Sequence, residues 1–145
     1  MKDQNYKNHI RWYVPHHFVF YPVAFALLNV AIVQLFTREG DKLLWIFIAV
    51  IIALIIWVAF MLRQHYALTL QNRMIILEMR YRYFTITGER LELLENRLTE
   101  GQIFALRFAP DNELAGLTQK AIDEKLSPDA IKKSINTWRA DHRRV

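Results

Sequence analysis

Residues 43–62 form an unbroken apolar run in which the only side-chain polar atoms are the indole nitrogens of Trp45 and Trp57. As a helix rising about 1.5 Å per residue, such a run spans the roughly 30 Å hydrocarbon core of a bilayer. A second apolar stretch, residues 18–36, precedes it and is interrupted only by Pro22, Asn29 and Gln34. The six polar-flanked residues 37–42 leave room for a tight turn, so the sequence predicts a two-helix transmembrane hairpin. Lys2, Lys7 and Arg11 with Ala24-Phe25-Ala26 imitate a secretory leader. The small-residue site, however, lies inside the apolar run, and the segment is read as an uncleaved anchor.

The net charge of +5 would suit a nucleic-acid binder, but beside two spans it reads as topology. Lys2, Lys7 and Arg11 flank one end, and Arg63, Arg73, Arg80 and Arg82 follow the other, while Arg38 and Lys42 in the turn are offset by Glu39 and Asp41. Both termini are therefore expected in the cytoplasm. Trp12, Tyr13, Tyr21, His65 and Tyr66 suit the headgroup layer. Asn29 sits near mid-span, where a lipid-facing amide would lose water without replacement, so it is expected to face the second helix or another copy of the chain. Ala49 and Ala53 supply a small-xxx-small spacing at similar depth.

Beyond residue 62 the helical pattern continues to Phe84 without Gly or Pro. Leu70, Met74, Leu77, Tyr81 and Phe84 recur at four-three-four-three spacing, and Leu68, Ile75, Met79 and Tyr83 form a second row. The second span is thus predicted to run on as a cytoplasmic stalk. Its apolar rows are expected to pack on later helices of the same chain, with coiled-coil self-association as the alternative. Glu78 and Arg82 have the spacing of an exposed ion pair.

Thr87-Gly88 marks a break, followed by an amphipathic helix predicted over 89–98. Thr99-x-x-Gln102 has capping-box spacing ahead of a further short helix. Asp111 is expected to cap a helix over 112–126, and Ser127-Pro128-Asp129 to start a last one carrying Ile131, Ile135 and Trp138 inward. The predicted fold is all-α: an N-terminal interfacial segment (1–17), the hairpin (18–62) and a cytoplasmic bundle of short amphipathic helices (63–145).

Candidate chemistry is sparse. The chain has no cysteine, which removes disulfides, thiol nucleophiles and thiolate metal sites. Ser127 and Ser134 are the only serines, and no nucleophile elbow or phosphate-binding loop is present. His9, His16 and His17, with Asp3 nearby, are the best metal candidates, but their spacing matches no established ligand pattern, and neither metal nor cofactor is expected. Lys132, Lys133, Arg139, Arg143 and Arg144 give the C-terminal end a basic surface suited to solvent or anionic lipid headgroups rather than nucleic acid. Arg107, between Leu106 and Phe108, is expected to pair with Glu92, Glu95 or Glu113, or to meet an acidic partner.

Asn5-Tyr6-Lys7-Asn8-His9, Tyr13-x-Pro15-x-His17-Phe18, Ala105-Leu106-Arg107-Phe108-Ala109, Ile131-Lys132-Lys133 and Trp138-x-x-Asp141 occur in this order around the two spans. Together they resemble a family of short bacterial membrane proteins classed as a domain of unknown function, over nearly the whole chain. The resemblance implies a bacterial inner-membrane location and a shared architecture, and transfers no catalytic or binding role. The reading that follows is a non-enzymatic integral membrane protein that binds itself or another protein as a scaffold, accessory subunit or regulator. Asn29, Ala49, Ala53, Arg107 and Trp138 are the expected assembly contacts. The alternative is a component of a membrane transporter or permease assembly, with Asn29 and Gln34 lining a wet path.

Overall fold

The computed structural model describes residues 4–9 and 13–141, all in helices, turns or irregular segments, with no strand among them. Lys2, Asp3, Arg11, Trp12, Arg143 and Arg144 lie outside the described residues. Two compact units are present: residues 13–69 form one, and residues 4–9 together with 70–141 form the other. The sequence had set residues 1–17 apart; residues 4–9 instead belong to the helical unit.

In the first unit, α1 (Tyr21–Thr37) and α2 (Lys42–Met61) pack against each other across a short turn, Glu39–Asp41. The helical runs that contain them, Pro15–Thr37 and Glu39–Thr87, are long and apolar enough to cross a membrane. The two helices meet along complementary seams. Ala24, Leu28, Ala31 and Leu35 recur at four-three-four spacing on α1, with both alanines buried, and Trp45, Ala49, Ile52, Ile56 and Ala59 follow the same rhythm on α2. Ala24 and Ala31, seven residues apart on α1, let the backbones approach. A single π-helical turn leads into α1 (Pro15–Phe20) and another follows α2 (Leu62–Ala67).

Helical backbone continues through the latter turn into α3 (Leu68–Thr87), as the absence of Gly and Pro predicts. Ile75, Met79 and Tyr83 are buried, whereas Leu70, Met74, Leu77, Tyr81 and Phe84 remain exposed. Of the two rows read from the sequence, the second packs inward. Arg82 is also buried, only 7% exposed, so the expected surface pair with Glu78 does not form. Gly88 ends α3 with φ of +75°, a left-handed conformation that favours glycine, and its N–H donates to the Phe84 carbonyl at 2.8 Å.

The helix expected over 89–98 is instead two 3₁₀ turns, Leu91–Leu93 and Glu95–Arg97. Ten residues are marginal for an isolated helix, and burial of Leu91 and Leu98 fixes the segment more firmly than propensity. α4 (Glu100–Leu106) begins at the expected capping box: the Gln102 amide donates to Thr99 Oγ1 at 3.3 Å, and the Thr99 amide to Gln102 Oε1 at 2.7 Å. Gln102 Nε2 also donates to the Leu126 carbonyl at 2.7 Å. Thr99→Ala is therefore expected to lower stability by about 1 kcal/mol, seen as a reduced midpoint when the full chain is melted in detergent.

α5 (Asp111–Asp123) starts one residue earlier than expected, with Pro110 at the cap, because the Asp111 carboxylate is committed to arginines rather than to its own helix. It also ends earlier, where Lys125 turns left-handed and the Leu126 amide reaches back to the Ala121 carbonyl. Ser127 caps α6 (Pro128–Lys133) through its Oγ, as predicted. α6 stops before Trp138, which follows on irregular backbone. α4 packs on both α5 and α6. The approach to α6 is close: a Cβ on Gly101 would lie 3.1 Å from Pro128 Cγ. Leu106, Leu114, Ile131 and Ala105 are fully enclosed at this junction.

Candidate interaction site of the helical unit

Arg82 organises the helical unit. Reaching from α3, it donates from one end of its guanidinium to Arg107 O at 3.1 Å and Ala109 O at 2.5 Å, and from Nε to Asp111 at 2.7 Å. The two carbonyls lie just past the end of α4, where backbone acceptors lose their helical partners, and a planar fork of donors suits them. Burial pushes the Arg82 guanidinium below its ordinary value, opposed by the hydrogen bond to Asp111. Asp111 also meets Arg139 at 3.4 Å.

Arg107 is buried as well, but its carboxylate is Asp141, at 3.5 Å, rather than any of the three glutamates expected. Glu95 is taken by Arg80 in a two-bond pair at 2.6 Å, Glu113 accepts from the backbone amides of Asn136 and Thr137, and Glu92 pairs with Arg90. The Arg107 guanidinium stands 4.5 Å from the centre of the Phe108 ring, a cation–π contact. Phe108, 2% exposed, carries Trp138 on a tilted ring at 4.7 Å and the edge of His9 at 5.9 Å. Arg107 and Trp138 are thus brought into one cluster, as internal contacts.

Residues 4–9 complete this face. Tyr6 Oη donates to Asp129 at 2.5 Å, and the Asp141 amide donates to Gln4 Oε1 at 2.7 Å. His9 Nδ1 lies 2.6 Å from the Tyr6 carbonyl, which can only accept, so Nδ1 carries the proton and Nε2 accepts from Lys132 at 3.1 Å. Lys133 bridges to Asp129 at 2.8 Å and stands over the Tyr6 ring. The hydrogen bond from Lys133, joined by that from Tyr6, holds the Asp129 carboxyl below its usual value, and Asp129 raises Lys133 in return. Tyr6, Lys7, Lys132, Lys133 and Trp138 border an open recess of about 450 Å³. Three ammonium groups, one of them paired with Asp129, and two aromatic walls give it a positive lining suited to acidic side chains or phosphate oxygens.

The other sequence candidates lie in the first unit. Asn29 is exposed, off the α1 seam, and does not face α2: Ala24 and Ala31 occupy the contact, and Asn29 is one residue, about 100° of helical rotation, from the seam position Leu28. Ala49 is half-buried on the α2 seam, whereas Ala53 is exposed. Gln34 accepts from Thr37 and Arg38 near the turn. His17 contacts Arg63 through Nε2, and the two border an open groove of about 620 Å³ with Phe25, Trp57 and Phe60. His16 stacks on Phe20. Among the described residues no three His, Asp or Glu side chains converge on a point where a metal could sit.

Sequence reasoning missed the roles of Arg82, Lys7 and the Tyr6–His9 segment, because each depends on partners 25 or more residues away. The one local sign was an arginine between Tyr81 and Tyr83 on a helix whose neighbours Met79 and Tyr83 read as buried. Comparison with curated proteins and with solved structures yields no match. Across residues 1–145 the chain matches the model of a family of unknown function, DUF6526, and belongs to that family.

Proposed function

We propose that this chain is a two-span bacterial inner-membrane protein, with both termini in the cytoplasm, that performs no chemistry of its own and serves as a scaffold, accessory subunit or regulator through its helical unit. The carrying observation is a contrast in burial. The most apolar windows of the helical runs Pro15–Thr37 and Glu39–Thr87 are 11% and 0% buried, while the helical unit encloses its own leucines and isoleucines. A bare apolar surface of that size suits lipid rather than water. The basic recess then serves as the docking place for an acidic segment of a partner protein, read by Lys7, Lys132 and Lys133 against Tyr6 and Trp138.

The test uses the chain's freedom from cysteine. In membranes washed with alkaline carbonate the chain is expected to stay in the pellet. In intact cells, Gly40→Cys is expected to react with a membrane-impermeant thiol reagent and Asn5→Cys to react only after lysis. A photo-crosslinking side chain at Asn5 is expected to give a discrete adduct that Lys133→Glu abolishes. Release by carbonate, or labelling at Asn5 in intact cells, overturns the anchoring and orientation. An adduct unaffected by Lys133→Glu removes the recess from the proposal.

A further inference from the structure

α3 has apolar residues on two faces. Ile75, Met79 and Tyr83 enter the core of the helical unit, but Leu70, Met74, Leu77, Tyr81 and Phe84 lie outside it at 60, 71, 66, 73 and 52% exposure. A helix apolar on a second face requires a second partner. The exposed row keeps a strict four-three-four-three spacing, which makes Met74 and Tyr81 the a positions of a heptad and Leu70, Leu77 and Phe84 the d positions. The narrowness of this seam distinguishes it from a stripe made to lie on a broad surface.

The flanking charges specify the occupant. In a parallel two-stranded coiled coil, a g residue of one helix meets the e residue five positions later on the other. Arg73 occupies g and Glu78 occupies e, five residues apart and of opposite sign. Both are exposed, and among the described residues neither forms an ion pair, whereas Arg80, the next g residue, is already held by Glu95. Two copies aligned in parallel would satisfy Arg73 and Glu78 twice, once in each direction. An antiparallel pair would set g against g and e against e, placing like charges together.

We infer that the exposed seam of α3 is the interface of a parallel homodimer, zipped by Met74, Leu77 and Tyr81 and registered by reciprocal Arg73–Glu78 pairs. The parallel sense rests on the membrane anchoring proposed above, since two copies inserted with the same topology present their α3 helices in the same direction. It also accounts for so short a seam: confinement to one bilayer raises the effective concentration of the two stalks, so each contact can be weak.

Single cysteines introduced into the otherwise cysteine-free full chain test this in native membranes. Met74→Cys and Leu77→Cys are expected to give disulfide-linked dimer on mild oxidation, whereas Lys120→Cys, exposed on α5, gives only background. Arg73→Glu or Glu78→Arg, each combined with Leu77→Cys, is expected to reduce the dimer by about threefold to tenfold, as two exposed pairs turned repulsive imply. The double reversal, Arg73→Glu with Glu78→Arg, is expected to restore it. Crosslinking at Leu77 no greater than at Lys120 overturns the interface, and a double reversal as weak as the single ones overturns the parallel register. Quenching of a fluorophore at Leu77 by brominated lipid, without crosslinking, assigns the seam to the bilayer and overturns the dimer. The same membranes are washed with carbonate, so that loss of anchoring with crosslinking retained separates failure of the membrane reading from failure of the dimer.

Discussion

Replacing Arg82 with alanine is expected to destabilise the helical unit by about 2–4 kcal/mol, among the largest effects of any polar substitution in the chain. The loss does not come mainly from the ion pair, because the Asp111 side chain is 66% exposed and water can solvate it when the arginine is gone. It comes from the Arg107 and Ala109 carbonyls, which lie beyond the last turn of α4 and take their hydrogen bonds from Arg82. Left buried and unpaired, each would carry a desolvation penalty of about 1–3 kcal/mol, offset in part by relief from burying a guanidinium. Lysine should rescue little, since one ammonium cannot reach acceptors spread across a planar fork. The measurement is hydrogen exchange on the full chain in detergent. Amides of α4 and α5 should lose protection in Arg82→Ala and Arg82→Lys, while those of α1 and α2 should not change. Equal protection in wild type and Arg82→Ala would show that water reaches the carbonyls and that the arginine is dispensable.

The second large effect belongs to Phe108. Truncation to alanine removes a 2%-exposed ring and is expected to cost about 3–5 kcal/mol. Its neighbours make the consequence more than a cavity. Trp138 and His9 both contact the ring, Arg107 stands over it, and the Phe108 carbonyl accepts from the Arg139 amide. Phe108→Ala should therefore loosen the 4–9 segment from the helical unit while Asp129 and Lys132 remain in place. Trp138 emission, isolated by difference against Trp138→Phe, should shift to longer wavelength, and trypsin should cut after Lys7 sooner than in wild type. Phe108→Leu, which retains much of the apolar volume, should recover most of the stability but less of the Trp138 signal. Unchanged cleavage at Lys7 would mean that Tyr6, His9 and Gln4 hold the segment without the aromatic stack.

Both expectations concern residues whose environment the sequence described only in part. Phe108 read only as part of the apolar segment that follows the Thr99 capping box and as an apolar neighbour of Arg107. Its contact with His9, 99 positions earlier, has no periodic trace. Arg82 was placed on the surface because Glu78 lies at helical spacing, a local rule that a distant pair of carbonyls overrides. Asp111 shows the same competition: its position before a helix makes it a natural cap, yet two arginines outbid the backbone amides. The capping box at Thr99, the Ser127 cap and the Gly88 break were legible because every participant lies within four residues of the others.

The sequence by itself determined the all-helical character, the two apolar runs, the continuation of α2 towards α3 and most helix starts, since these depend on hydrophobic period, residue stereochemistry and hydrogen bonds between near neighbours. It also offered two apolar rows on α3 without ranking them. Only the tertiary structure decided which row is enclosed, turned Asn29 away from α2, joined residues 4–9 to the helical unit and gave Arg107 the carboxylate of Asp141. Those outcomes depend on which surfaces meet after the chain has folded back across tens of residues, where packing volume and the need to satisfy buried polar groups outweigh every local preference.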